Sequence, residues 1–214
     1  MTYTLTVTVN PTSVAQINAA RQFVTVVQSV QSYVASMPMS SMLSSTFATT
    51  PSLEVAWLAF SPFPSNTITW SPAYSLYATL SAPVNGVVIQ PVATQPAQQR
   101  LTYPFLNNGF GAPVSADMDG YFVQNLQGSM TFGLALTATV NAVAQAVAPI
   151  NSSTVLNNQT GWFTPQTSVA VFLSTTSANG TAFYQFGTPT FYSMSKNTVS
   201  LTYQASNSTF VEGT

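Results

Sequence analysis

The 214-residue sequence has no cysteine and no histidine, and only 3 % of its residues carry a formal charge, against about 25 % in an average soluble domain. Without cysteine there is no disulfide, no thiol nucleophile and no thiolate metal site. Without histidine, Ser-His-Asp and Cys-His catalysis and imidazole-based metal sites are excluded too. The three basic residues, Arg21, Arg100 and Lys196, are too few to neutralise a run of phosphates or to form a polybasic membrane patch, so nucleic acid is excluded as a partner. No uninterrupted apolar run approaches the roughly 20 residues of a spanning helix, and no transmembrane segment is expected. Met1 to Leu5 shows neither the charged nor the apolar region of a secretory signal.

The four acids, Glu54, Asp117, Asp119 and Glu212, set the net charge at -1. With nothing that titrates near neutrality, that charge is nearly constant between about pH 5 and pH 9. The remaining polarity is almost all Ser, Thr, Asn and Gln, which hydrogen-bond without ionising. Acid–base chemistry has little to draw on. Lys196 lies in a turn-like Ser195-Lys196-Asn197 stretch, and Asp117-Met118-Asp119-Gly120 is the one local acidic pair. We therefore expect a non-enzymatic protein without a bound cofactor. The acidic pair is the sole metal candidate, for calcium, with Asn107 or Asn108 completing the shell; an Asx turn is the competing reading of the same residues.

Residues 2–9, TYTLTVTV, place Tyr3, Leu5, Val7 and Val9 on one face and threonines on the other, the alternation of a half-buried strand ended by Asn10-Pro11. A short helix capped by Thr12 or Ser13 follows, to about Ala20. Residues 22–34 fit either a strand or a continued helix, and their β-branched content favours the strand. Met37 to Pro51 reads as a loop. Thereafter short strands are expected at Glu54–Phe60, Thr67–Trp70, Tyr74–Ser81, Val87–Val92, Arg100–Phe105, Tyr121–Gln124, Met130–Val140, Ser168–Ser174, Ala182–Phe186, Thr190–Met194 and Thr198–Gln204. Turn signals punctuate them at Asn85-Gly86, Asn107-Asn108-Gly109, Asp119-Gly120 and Asn179-Gly180. Met130–Val140 is long for one strand, and Gly133 is the expected bend through which it serves two sheets. The rhythm predicts an all-β fold, an antiparallel β-sandwich of Greek-key or jelly-roll type with one short helix near the N-terminus. Residues 1–214 are read as one domain, with 144–159 the candidate linker.

Neutrality also removes the repulsion that keeps like molecules apart. The leading functional expectation is a self-assembling structural protein, a filament, surface appendage or array, whose first strand (Tyr3, Leu5, Val7, Val9) completes a neighbour's sheet. The alternative is a lectin-like module that holds neutral glycans on aromatic rings and side-chain amides. Trp70 and Trp162, nearest turn residues, are its candidate contacts. Sequons at Asn151, Asn158, Asn179 and Asn207 are candidate glycosylation sites and point to an extracellular or cell-surface setting, with a cytoplasmic inclusion as the other possibility.

Overall fold

The computed structural model describes residues 1–36, 48–49, 54–80, 82–184 and 189–213. The fold is all-β, built of several sheets with a single short helix. Most of the expected Met37–Pro51 loop lies outside the described residues, as does the end of the expected Ala182–Phe186 strand.

The opening alternation forms the strand Tyr3–Thr8. Its Tyr3, Leu5 and Val7 are buried, as is Val9 just beyond it. The strand pairs antiparallel with Ser65–Trp70 on one side and parallel with Thr198–Gln204 on the other. It is therefore an interior strand of a six-stranded sheet. The helix spans Pro11–Ala19, and its cap is Asn10, whose side chain accepts from the Ser13 N–H, with Pro11 at the first helical position. The chain then turns at Arg21, held at positive φ, into the 13-residue strand Phe23–Ala35. Its partner is the 15-residue strand Thr160–Ser174. These two form the spine of a nine-stranded sheet, and their register slips between Pro165 and Val169. A β-bulge there places proline where no ladder bond is needed.

The third sheet has five strands around Met130–Leu136. Within the expected Met130–Val140 segment, the chain does serve two sheets. It leaves the third sheet after Leu136 and joins the six-stranded one at Thr139–Val140. The break falls at residues 137–138, and Gly133 has another role: a Cβ there would lie 2.3 Å from the Asn151 carbonyl oxygen and 2.7 Å from the Tyr77 ring. The glycine permits that close approach. Residues 144–159 supply the short strands Ala148–Pro149 and Ser153–Val155, both paired with Met130–Leu136, and Ala148 to Ser153 are buried. One cluster of buried side chains joins all three larger sheets, among them Leu5, Phe163 and Phe132.

Four further expectations need correction. The expected Glu54–Phe60 strand is two, Glu54–Ala56 and Leu58–Phe60, which pair in different sheets. The ladders are not all antiparallel, since Tyr121–Asn125 also runs parallel to Leu101–Leu106. Val87–Val92 is no strand: only Val88 forms an isolated bridge, and pairing resumes at Ala93–Pro96. Thr160–Ser174 begins well before Ser168, because the bulge lets one strand continue across Pro165.

Buried asparagines tie this irregular framework together. Asn125 donates to the carbonyls of Gly128 and Val155 and accepts from the Gln127 N–H. Asn66 donates to the carbonyls of Val7 and Phe63 and accepts from the Phe63 N–H. Asn151 accepts from the Leu134 N–H and donates to the Ser32 hydroxyl. Removing such an amide strands several backbone groups at once. Asn125→Ala should lower unfolding free energy by about 2 kcal/mol or more in urea titrations. Gly133→Ala should cost a comparable amount or more, since neither backbone nor a buried ring can give way easily. A Gly133→Ala protein as stable as the parent would refute the close-packing role.

Candidate functional site

The structure places the sequence-derived candidates in quite different settings. Tyr3, Leu5, Val7 and Val9 face their own core, and both edges of their strand are occupied within the chain. In this fold they have nothing to donate to a neighbour. The strands that end the larger sheets are also short. Among the described residues the outermost strands are Val143–Ala144 and Thr209–Glu212, Gly109–Phe110 and Ala48–Thr49, and Ala148–Pro149 and Ala93–Pro96. None exceeds four residues, and short edges resist strand addition even without charge.

Asp117 and Asp119 lie on an exposed loop beside Arg100, whose Nε is 3.8 Å from Asp119 Oδ1. Asn107 and Asn108 turn the chain at the far end of the six-residue strand Leu101–Leu106, about 20 Å away. They cannot complete a shell with the two aspartates. No grouping of three or more metal-ligating side chains occurs among the described residues. Lys196 is exposed on the turn closed by the Asn197 N–H to the Met194 carbonyl.

The sequons divide by accessibility. Asn158 and Asn207 are exposed on turns. Asn179 is half-buried, its Oδ1 accepting from the Ala59 N–H. Asn151 is 6 % exposed and, as shown above, a structural hub. A glycan on Asn151 is incompatible with this fold, because its amide nitrogen is the donor to Ser32.

Trp70, expected to be exposed, is 4 % exposed. Its ring meets Tyr3 at 5.4 Å and the edge of Trp57 at 5.3 Å between centroids. Adjacent turn residues were a misleading signal, since Trp70 ends a strand paired to Tyr3. Trp162 is half-buried. It stacks on Phe122 at 5.7 Å, tilts against Tyr33 at 5.1 Å and donates from Nε1 to the Asp119 carbonyl. The ring covers Gly120, where a Cβ would sit 2.2 Å from Nε1.

Two regions have the geometry of a site. The first is a cavity of about 230 Å³ at the β-bulge, walled by Tyr3, Trp70, Tyr74, Gln28 and the bulged residues Gln166 and Thr167. Gln28 Nε2 donates to the Tyr74 hydroxyl at 2.7 Å. Burial pushes the Tyr74 pKa up to about 12, partly offset by that hydrogen bond, so the phenol stays neutral. No formally charged side chain lines this cavity. The second region is the exposed loop 82–90, with hollows of about 160 and 440 Å³ on its two sides, also lined without any charged group. Leu80, Val84, Val87 and Tyr184 stand out around it, each more than half exposed. The Asn85 side chain fixes the loop by accepting from the Tyr184 N–H. Comparison with protein-family models, curated proteins and solved structures finds no match for this chain.

Glu54 is the acid that burial perturbs. It begins the strand Glu54–Ala56 opposite Phe183, and desolvation raises its pKa above the ordinary 4.5. A carboxyl raised in the fold favours its protonated form there. Its contribution to stability is present below the unfolded pKa and is lost as pH rises through the folded pKa. Glu54→Gln should therefore match the parent protein in thermal midpoint at acidic pH and exceed it at neutral pH. Equal midpoints at both pH values would show that the carboxylate is fully solvated.

Proposed function

We propose that the protein is a non-enzymatic structural protein that associates with copies of itself, with a filament, surface appendage or array as the extended product. The observation that supports this best is the pair of uncharged hollows beside loop 82–90, one lined by Val84 and Val87 and the other by Tyr184, each of these side chains more than half exposed. Large exposed apolar side chains are costly to leave in water. A second copy is the natural occupant because a net charge of -1 offers almost no repulsion to it. Contact would be face to face, through side chains, since the sheet edges are short and Tyr3–Thr8 is committed to its own sheet. Catalysis finds no support in the ionisable groups: the four acids are dispersed apart from the solvent-facing Asp117 and Asp119.

Light scattering across a rising concentration series tests the reading. The parent protein should show a mass-average above the monomer that grows with concentration. The double variant Val84→Asp, Val87→Asp places like charges on both copies and should weaken association by roughly tenfold or more, with circular dichroism unchanged. A parent protein that stays monomeric throughout, or a double variant that associates as strongly as the parent, overturns the proposal.

A further inference from the structure

We infer that the cavity at the β-bulge binds a small, neutral, polyhydroxylated ligand, about one sugar ring in size. This inference is independent of self-association, because the cavity and the 82–90 loop have no lining residue in common.

Four observations converge on it. The bulge between Pro165 and Val169 lies across from Gln28 and Val30 in the longest ladder of the molecule, and it brings Gln166, Thr167 and Ser168 to the cavity. Bulges interrupt a ladder to re-aim side chains, and they concentrate beside binding sites. Second, of the seven described residues that keep a buried polar atom without a hydrogen-bond partner, two share this wall, each 4 % exposed: the donor Trp70 Nε1 and the acceptor Gln28 Oε1. Each unmet group carries a desolvation cost of about 1–3 kcal/mol. A hydroxyl accepts and donates, so neighbouring hydroxyls on one ligand would meet both needs once the two side chains turn these buried atoms toward it.

Third, Tyr3, Trp70 and Tyr74 contribute aromatic rings to the same wall. Such rings bind the apolar C–H faces of a sugar while the amides hold its rim. Fourth, no lining residue is charged and Tyr74 resists ionisation. A carboxylate, phosphate or ammonium would enter with no counter-charge. Size sets the last limit: about 230 Å³ is below the range of roughly 300–1,000 Å³ typical of drug-sized ligands, which leaves room for one ring.

Saturation-transfer NMR on the intact protein decides the matter, with methyl glucoside, methyl galactoside, methyl mannoside and N-acetylglucosamine as probes and glucuronate as the charged control. At least one neutral probe should receive saturation, with glucuronate weaker by roughly tenfold for want of a counter-charge. Trp70→Phe removes the donor and keeps an aromatic wall, and it should abolish the transfer. Thr167→Ala, at an exposed position on the bulge, should weaken binding with the fold intact. Trp162→Phe, outside the cavity, should leave binding unchanged. Disaccharides with the same terminal ring separate a free sugar from a chain end as the source, and signal confined to the terminal ring assigns the chain end. No transfer to any neutral probe would show that the cavity holds water only. Transfer that survives both Trp70→Phe and Thr167→Ala, or equal binding of glucuronate, would equally overturn the inference.

Discussion

A chain with almost no charge must satisfy its buried polar groups with neutral amides and hydroxyls, and that constraint runs through every part of this structure. Many of its strands are two to four residues long, so much backbone leaves one ladder before it enters the next. Each such departure exposes N–H and C=O groups that need partners. Asn66, Asn125 and Asn151 supply them from buried positions. An asparagine both donates and accepts from a planar group, so one residue can bridge two segments without the desolvation cost of an ion. Tyr77 and Trp57 do likewise, donating to the carbonyls of Asn151 and Leu136.

The same economy limits the surface. The one ion pair among the described residues, Arg100 with Asp119, is solvent-exposed at 3.8 Å and contributes little. Protection against aggregation accordingly rests on geometry: the outer strands are short, and Pro96 and Glu212 lie on two of them. The surroundings of loop 82–90 lack that protection. Leu80, Val84, Val87 and Tyr184 surround a loop held by Asn85, and nothing charged guards the hollows beside them. Strand ends and loop thus differ in what guards them: the first are short, and the second has no charge beside it.

Local pattern was readable in the sequence wherever one residue's neighbours decide its fate. TYTLTVTV alternates because one side of the strand is core, and it forms the expected strand. Asn107 and Asn108 both adopt positive φ, as their turn signal required. The segment at 22–34 is indeed strand after helix. Long-range pairing was not readable. Nothing local reveals that Tyr3–Thr8 lies between Ser65–Trp70 and Thr198–Gln204, and so its candidacy as a donated strand failed. Asn151, in a Ser/Asn-rich stretch, looked like a surface sequon. Its burial depends on Leu134 and Ser32, residues distant in the chain. Trp70 misled for the same reason, since a nearby turn says little about what packs across the sheet.

The cavity escaped the sequence reading because its parts are scattered over Tyr3, Gln28, Trp70, Tyr74 and the bulge at 165–169. The weak signal available was Pro165 inside a strand-like run, since a proline within a ladder implies an interruption. The bulge solves a local problem, the missing N–H of Pro165, and in doing so opens the longest ladder opposite Ser29, between the pairs made by Val30 and Gln28. Had the ladder continued in register, Gln166, Thr167 and Ser168 would have been paired and the space closed. Asn66 and Asn125 have both amide atoms paired. Of the seven described residues that keep an unpartnered buried side-chain atom, Gln28 and Trp70 are the two that share the wall of this cavity, and such departures concentrate where a protein meets something other than itself.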